Sequence, residues 1–516
     1  MSDFATRALK EYNSLTVRPG GVNGNPFWNM NSSQFTYAPA FYFPSLPNEA
    51  AKGFLFTATD KNGNTHSFKA EKASADLLPI WSEIPVGLVV LKVEALTTDE
   101  APSYVVGTRT FFKCSPFPGR ENLPPKARSY KDAALLGLKY VFEQPMIRHW
   151  LKYGKPDPEF PHNVYPAKTF SSIISAMLVY AEISPENKED ALKIATIIAD
   201  YMIEISYGKG SPIHGLPPTY CFNGLNAEKV IKIAPAAEGY KDTTMMIYPA
   251  SAGDAYLELF SVTKNQKYFD AAMIIAEYYK DHVLPNGSWY LQISAETGLP
   301  LKENCCNYFS ILTFLTNVEK ITKDSKWNTL IENYFSYLKK TCLDNYNWEA
   351  QFEDVPVTSG YYNLTHVNAA LMINHIVTNK ADDPQMMEDA KELMRFIEDQ
   401  FVVWGDYAPW IKEINPDVKS PAGLEQYFCY WPIDASTSKI MGAFLDMYYA
   451  TNDLLYFEKA AALGDMLTRM QDATSGVIPT FWTSKENIED LENFWINCHI
   501  FSAFRLYKLS LAAEEI

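Results

Sequence analysis

Three carboxylates occur within six residues of the segment 345–355, beside a tryptophan. They are Glu349, Glu353 and Asp354. Cleavage of a glycosidic bond needs a proton donor on one side of the bond and a carboxylate on the other. Glu353 and Asp354 follow Phe352, and an apolar neighbour raises the pKa of a carboxyl group toward the range that a proton donor needs. We therefore predict a catalytic role for Glu353 or Asp354 and a substrate contact for Glu349, with a structural role as the alternative for each.

A second acidic group lies in residues 423–434, a segment rich in aromatic residues. Glu425 stands among tyrosine and tryptophan, and Asp434 lies in the first turn of a predicted helix. The predicted catalytic pair joins Glu353 or Asp354 to Glu425 or Asp434. The alternative for Asp434 is a helix N-cap, because a helical pattern follows it directly. If the two segments meet at one surface, the pair supplies both groups that bond cleavage requires.

Aromatic residues make up 14% of the chain, an excess that fits a cleft where rings stack on the apolar faces of sugars. Four predicted loops each carry a tryptophan that we predict to be a sugar platform, namely Trp289, Trp348, Trp431 and Trp482. The alternative for each one is packing in the core. His214 lies between turn residues, and we predict that it binds substrate or acts as a base. Two further substrate contacts are predicted at Tyr220 and Tyr427.

Several partners and cofactors are not expected. The net charge of −16 disfavours nucleic acid or an anionic membrane surface as a partner, and no run of 18 apolar residues exists for membrane insertion. Seven cysteines without a CxxC pair and eight histidines without HExxH predict no metal site. Nucleotide-binding and GxSxG motifs are absent, so no cofactor is expected. The first residues lack the apolar core of a secretory signal, which indicates a cytoplasmic location unless a signal for the periplasm or for secretion has been removed.

From residue 126 to residue 516 the chain alternates amphipathic helices with more apolar ones, in six pairs. The amphipathic helices are predicted near 130–147, 186–206, 265–283, 324–342, 384–402 and 454–470. The apolar helices are predicted near 168–182, 248–262, 303–321, 362–378, 434–450 and 490–509. A repeat of helical pairs without a polar end pair indicates a closed ring rather than an open solenoid. Long connections precede the apolar helices, and in a ring they would all lie at one mouth.

Residues 1–125 predict a small β domain in front of these helices. An Asn62-Gly63 pair separates two alternating runs, 54–59 and 65–70, which is a strong hairpin signal. Two further strands are predicted at 86–94 and 104–113. Short strands divided by proline and glycine favour an immunoglobulin-like β-sandwich. The proline-rich residues 114–126 form the predicted linker. Because the helical part is about three times as long as the β part, the predicted fold class is mostly α.

Four segments carry a resemblance to known proteins, namely 286–290, 348–355, 425–434 and 491–497. They resemble the six-hairpin carbohydrate-active enzymes, the (α/α)6 toroids, which include unsaturated glucuronyl hydrolases, other glycoside hydrolases, polysaccharide lyases and sugar epimerases. Residues 60–112 resemble the β domains attached to polysaccharide-utilisation proteins of gut bacteria. The resemblance implies an oligosaccharide substrate of plant or host origin, with a uronic acid among its possible sugars.

Three functions remain open at this point. A glycoside hydrolase that uses the paired carboxylates is the leading hypothesis. A polysaccharide lyase or uronyl epimerase would instead abstract a proton with histidine or tyrosine and neutralise the sugar carboxylate with arginine or lysine, and few basic residues lie in the predicted mouth loops. A non-catalytic glycan-binding protein would keep the tryptophan platforms and tolerate loss of the carboxylates.

Overall fold

A computed structural model describes residues 3–18, 27–44, 51–97, 101–234, 237–353, 358, 360–411, 420–482 and 495–515. Twelve long helices form two concentric layers within these residues. The outer helices 1 to 6 are Tyr130–Glu143, Lys188–Ile205, Gln266–Asp281, Lys326–Leu338, Pro384–Phe401 and Leu454–Met470. The inner helices 1 to 6 are Pro166–Ile183, Pro249–Thr263, Phe309–Thr322, Val367–Asn379, Asp434–Thr451 and Ile496–Glu515. Each predicted helix thus has its counterpart.

The inner helices form a closed ring. Each one contacts the next along the chain, and inner helix 6 contacts inner helix 1. Inner helix 6 also packs against outer helix 1, so the last and first helices of the repeat complete the sixth pair. The ring predicted from the absence of a polar end pair is therefore confirmed for the part of the chain that the structure describes.

Short turns lead from inner to outer helices, and two local signals build them. Lys264, Lys323 and Asn452 adopt the left-handed conformation that ends a helix, with φ of 57°, 54° and 55°. Asn265 and Asp453 come next to such residues and accept a hydrogen bond from a backbone N–H of the following helix. Because these turns are tight, the long connections must all lie at the opposite end, where the inner helices begin.

The connections carry smaller elements at this end, which we call the mouth. The short helices are Pro145–Tyr153, Ala227–Ile233 and Ala237–Tyr240, and a π-helical turn, Lys339–Leu343, follows outer helix 4. One two-stranded sheet pairs Thr243–Met245 with Gln292–Ser294. A three-stranded sheet joins Val402–Val403, Ala422–Gln426 and Cys429–Pro432. These elements give the mouth loops fixed hydrogen-bonded positions on the ring.

The N-terminal residues form a sheet and an unpredicted helix. Five strands lie in the order Gln34–Phe35, Pro102–Lys113, Gly87–Leu96, Gly53–Thr59 and Thr65–Ala70. The last two form the hairpin predicted at Asn62-Gly63, where Gly63 has a φ of 83°. A separate two-stranded sheet pairs Ala40–Tyr42 with Ser74–Asp76. Two short helices, Leu78–Trp81 and the 3₁₀ turn Trp28–Asn31, complete this part.

The predicted immunoglobulin-like sandwich is not confirmed. In the described residues one five-stranded sheet buries one of its faces. The helix Asp3–Ser14 packs beside this sheet, and its Tyr12 contacts Trp81 of the short helix Leu78–Trp81, with 6.2 Å between the ring centroids. Ala5, Ala8 and Tyr12 recur at helical spacing and are buried, which is the signal that the β interpretation overlooked. The domain boundary near residue 125 stays a prediction.

The N-terminal part is bound tightly to outer helix 5. Glu398 of that helix is buried and accepts hydrogen bonds from Tyr37 Oη at 2.9 Å and Trp404 Nε1 at 2.9 Å. Lys459 Nζ, also buried, lies 2.8 Å from the same carboxylate. The backbone N–H groups of Thr36 and Tyr37 both donate to Asp399 Oδ1 at 2.7 Å. The ion pair joins outer helices 5 and 6, and the hydrogen bonds of Thr36 and Tyr37 to Glu398 and Asp399 attach the N-terminal part to the ring.

Acid is expected to weaken the ring through His499 of inner helix 6. Its Nδ1 accepts from the N–H of Ile478 at 3.1 Å, and its Nε2 donates to the carbonyl of Gly137 at 2.9 Å. Burial lowers the pKa of His499 from 6.5 to about 4. The unfolded chain therefore binds a proton first, and the stabilisation is complete above pH 6.5 and is lost as pH falls toward 4.

The measurement is the free energy of unfolding in urea from pH 7 to pH 4 for the wild type and His499→Asn. The wild type is expected to lose stability more steeply over this window, by roughly 1 to 3 kcal/mol. Equal pH slopes for the two proteins would show that His499 is not a source of the acid sensitivity.

Candidate functional site

An ion pair lies at the mouth, between loops that are far apart in the sequence. Lys168 is in the first turn of inner helix 1, and its Nζ lies 2.6 Å from Oε1 of Glu353, on the loop after outer helix 4. Tyr248, the residue before inner helix 2, donates from its hydroxyl to Oε2 of the same carboxylate. One carboxylate therefore contacts both an ammonium and a phenol, and the ammonium stabilises its charged form.

Aromatic rings surround this ion pair. The Nζ of Lys168 lies 4.6 Å from the ring centroid of Trp495 and 5.6 Å from that of Tyr165, within the range of cation–π attraction. Tyr220 donates from its hydroxyl to the carbonyl of Glu353 at 3.1 Å and so holds the loop. The Glu353 side chain keeps 1% exposure and that of Lys168 keeps 24%. Lys168 is therefore the open end of the pair, with Glu353 behind it.

A neutral histidine lies beneath this cluster. The ring of His162 stacks on Trp495 at 4.3 Å between centroids, with 21° between the ring planes. Burial lowers the pKa of His162 to about 3, and the charge of Lys168 acts in the same direction. The imidazole is uncharged at neutral pH, so it serves as a flat support for Trp495 and not as a proton donor.

Glu425 approaches from the neighbouring loop. It lies in the strand Ala422–Gln426 and is half-buried, whereas Leu424 and Gln426 on either side are buried. Alternation along the strand thus turns Glu425 to the face opposite these two. Burial lowers the pKa of Lys439, on inner helix 5, and the positive charges of Arg505 and Lys168 lower it further. The negative charge of Glu425 acts in the opposite direction and raises the pKa of Lys439. Lys439 therefore lies within electrostatic reach of both Glu425 and Lys168.

Asp434 does not line the open site. It is fully buried at the start of inner helix 5, where Oδ1 accepts from the N–H of Ala435 at 2.6 Å and Oδ2 from the hydroxyl of Ser502 at 3.0 Å. Burial raises the pKa of Asp434 well above its usual value, because it disfavours the charged form of the carboxyl. Both carboxylate oxygens are thus occupied inside the ring by partners other than the loop that carries Glu353. The catalytic role of Asp434 stays a prediction, and this geometry gives it no support.

Replacement of Asp434 by asparagine is expected to keep turnover within about fivefold of the wild type, since the neutral amide resembles the protonated form of the carboxyl, which burial favours. In the wild type, the raised pKa of Asp434 stabilises the folded state at low pH, and this contribution to the free energy of unfolding declines as pH rises above 3.8. The asparagine variant should lack this contribution. Turnover and urea unfolding between pH 4 and pH 8 give both quantities. A hundredfold loss of turnover with normal folding would instead show that Asp434 is catalytic.

Three of the four predicted tryptophan platforms are wrong. Trp289, Trp348 and Trp482 are buried and offer no ring face to a ligand. The Nε1 of Trp289 donates to the carbonyl of Tyr279 at 2.7 Å, and that of Trp482 donates to the carbonyl of Pro479 at 3.1 Å. These are packing roles. Trp431 differs, because it is exposed on the strand Cys429–Pro432, and its ring makes a T-shaped contact with that of Phe481, with 5.5 Å between the ring centroids.

Glu349 and Tyr427 have structural partners that occupy them. Both oxygens of Glu349 accept backbone bonds, from the N–H of Tyr362 at 2.9 Å and of Asn363 at 3.2 Å, and the residue is buried. The hydroxyl of Tyr427 lies 2.6 Å from that of Ser32, on the N-terminal part. The polar atoms of both side chains are therefore occupied within the protein, and the predicted substrate contacts of Glu349 and Tyr427 stay predictions.

The three remaining candidates have different outcomes. His214 lies on the loop after outer helix 2, with Nδ1 3.1 Å from the carbonyl of Tyr207. Its role in substrate binding stays a prediction. Asp354 lies outside the described residues. Tyr220 is at the mouth but buried, and it acts on the backbone of Glu353.

Sequence reasoning missed Lys168, Lys439, Trp495 and His162. Lys168 and Lys439 belong to helices that were interpreted only as scaffold, and Trp495 immediately precedes inner helix 6. The carboxylate partner of Lys168 is 185 positions away. The start of an inner helix at the mouth was the available signal, since every such start points into the region where the long loops meet.

The described residues contain no group of three or more histidine, cysteine, aspartate or glutamate side chains that could hold a metal ion. No helix in the described ranges has the length and apolar character needed to cross a membrane.

No known family model matches the chain, and no curated protein matches it. Solved structures do. Cellobiose 2-epimerase from Spirochaeta thermophila is 12% identical, with 73% of this chain and 96% of that one covered and a TM-score of 0.48. A family 76 α-mannanase from Bacteroides thetaiotaomicron is 15% identical over 75% and 97%, also at 0.48. Unsaturated glucuronyl hydrolase from Streptococcus agalactiae is 11% identical over 74% and 91%, at 0.46. Because these TM-scores are below 0.5, the assignment of a closed helical ring depends on the helix contacts of this chain and not on these likenesses.

Proposed function

We propose that the chain is a glycoside hydrolase whose site lies at the mouth of the ring. The observation that carries the proposal is the approach of two carboxylates from different loops to a pair of lysines. Lys168 pairs with Glu353, Glu425 acts on Lys439, and the charge of Lys168 lowers the pKa of Lys439. This leaves Glu353 and Glu425 as the pair, and they come from the two loops in which the sequence predicted the catalytic carboxylates.

The environments of the two carboxylates favour different roles. Glu353 is held in its charged form by an ammonium and a phenol, which suits the group that stabilises an oxocarbenium-like transition state or takes a proton from water. Glu425 is half-buried on the strand Ala422–Gln426, and partial burial suits the group that donates a proton to the leaving oxygen. Substrate must displace Lys168 or the hydroxyl of Tyr248 from one oxygen of Glu353.

The two lysines indicate a substrate class. The whole chain carries a net charge of −16, yet Lys168 and Lys439 are close enough to repel each other at the mouth. A carboxylate of a uronic acid would relieve this repulsion and could accept hydrogen bonds from both ammonium groups. We therefore propose an oligosaccharide substrate that contains a uronic acid.

A uronyl epimerase or polysaccharide lyase is the second candidate. The same two lysines could neutralise the sugar carboxylate, and the hydroxyl of Tyr248 is positioned on Glu353, where a proton could pass between them. The basic groups that the mouth loops lacked in the sequence are thus supplied by inner helices 1 and 5. The reaction would leave the chain length unchanged for an epimerase and produce an unsaturated sugar for a lyase.

Product analysis distinguishes these reactions. The protein is incubated with a panel of soluble polysaccharides, including polygalacturonate, glucuronoxylan, alginate, chondroitin sulfate and yeast mannan. New reducing ends without ultraviolet absorbance support the hydrolase, whether the glycan is neutral or acidic. If the protein turns over acidic glycans and no neutral ones, the result supports a substrate that contains a uronic acid. Unsaturated products would replace the hydrolase by a lyase, and a changed sugar in an intact chain would replace it by an epimerase. Binding of a glycan without any turnover would leave a non-catalytic glycan-binding protein.

A further inference from the structure

Four large apolar side chains are exposed in three segments that hydrogen bonds join to one another. They are Trp431, Phe428, Tyr362 and Met30, at 42%, 57%, 55% and 40% exposure. Single exposed apolar residues are common on protein surfaces, but three aromatic rings in adjoining segments are a feature that needs a reason. We call these four residues the aromatic rim.

Hydrogen bonds join the segments of the aromatic rim into one wall. The N–H of Phe428 donates to Oδ1 of Asn363, the residue next to Tyr362, at 3.2 Å. The Nδ2 of Asn31, the residue next to Met30, donates to the carbonyl of Gly360 at 2.9 Å. The rim thus starts on the strand that leads into inner helix 5, which carries Lys439, and ends on the N-terminal part.

We propose that the aromatic rim binds the sugar units of a glycan chain that extends out of the mouth. This inference rests on the proposed function of the mouth. Aromatic rings present flat apolar faces, which match the C–H faces of pyranose rings, and their places along one wall suit a chain of repeated units. The N-terminal part then contributes to substrate binding, in addition to packing against outer helix 5.

The size of the rim favours a glycan over a protein partner. Four large side chains, about half exposed, offer roughly 400 Å². A stable protein interface buries about 800 Å² on each partner. The rim therefore suits a narrow ligand that continues into the mouth, where Lys168, Lys439 and Glu425 provide the polar contacts.

The test compares two chain lengths of the same glycan. Oligosaccharides of two and six residues are prepared from the polysaccharide of the panel that the protein turns over, and kcat/KM is measured for both. The variants are Phe428→Ala with Tyr362→Ala, and Phe428→Tyr as the conservative form. Tyr449→Ala is the matched control, because Tyr449 is equally exposed but lies at the end of inner helix 5 away from the mouth.

The wild type is expected to prefer the six-residue substrate, and the ratio of the two kcat/KM values should fall about tenfold in the double alanine variant, as for the loss of two stacking contacts. Phe428→Tyr and Tyr449→Ala should keep the ratio. An unchanged ratio in a double variant that melts normally would overturn the rim while leaving the hydrolase in place. If no glycan of the panel is turned over, binding is measured by electrophoresis in gels that contain the panel polysaccharides. Binding that is lost in the double variant supports a glycan-binding role of the aromatic rim, and binding that is retained refutes it.

Discussion

Replacement of Glu353 by glutamine is expected to reduce turnover by about a thousandfold or more while the protein stays folded. The amide keeps the shape of the side chain and can still accept from Tyr248, but it carries no charge to stabilise a cationic transition state or to take a proton. Lys168 loses its ion-pair partner, yet it remains partly in contact with water, so the cost in stability is moderate. Turnover of the substrate from the panel is measured with circular dichroism as the check on folding.

Glu349→Gln is the matched control for this variant. Glu349 lies four residues earlier in the same loop, and its oxygens accept backbone bonds from Tyr362 and Asn363. Loss of one such acceptor should lower the free energy of unfolding by about 1 to 3 kcal/mol and leave kcat of the folded protein near the wild-type value. Turnover by Glu353→Gln within tenfold of the wild type would remove Glu353 from the catalytic pair.

Replacement of Glu398 by alanine is expected to lower the free energy of unfolding by about 3 to 5 kcal/mol. The change leaves the buried ammonium of Lys459 without its counter-charge, and it removes the acceptor of Tyr37 and Trp404. The loss should appear in urea unfolding as an early transition, because the contact joins the N-terminal part to outer helix 5.

Glu388→Ala tests the same charge change on the same helix without burial. Glu388 pairs with Lys391 at the surface, at 2.6 Å, and both side chains are exposed to water. Its loss should cost less than about 1 kcal/mol. Similar unfolding curves for the two variants would contradict the anchoring role of Glu398.

The helical ring could be predicted from the sequence because its signals are local. The periodicity placed outer helix 6 at 454–470 and the structure has Leu454–Met470, since Asp453 caps the helix and Asn452 ends the preceding one. The same reasoning located the hairpin at Asn62-Gly63. The helix Asp3–Ser14 was missed because the strands that follow it dominated the interpretation of the first 125 residues.

The site could be predicted only in part, because burial and long-range pairing are not local properties. Glu353 was identified from its loop, but the reason given was an apolar neighbour, whereas the structure places an ammonium beside it. Trp289 and Trp348 were assigned to ligand binding because each of four predicted mouth loops carries one tryptophan, yet loops that pack on the ring bury their largest side chains. The sequence around a tryptophan does not show whether its side chain is buried in the core or exposed to a ligand.

The most direct measurement is a crystal structure of Glu353→Gln with the oligosaccharide that the wild type turns over. We expect the scissile oxygen to lie at the mouth between the side chains of residues 353 and 425, whose carboxyl or amide carbons should be roughly 5 to 9.5 Å apart. The sugar carboxylate should contact Lys168 or Lys439, and the following units should lie along the aromatic rim. A sugar bound away from the mouth, or a separation beyond about 12 Å with substrate in place, would contradict a hydrolase built on Glu353 and Glu425.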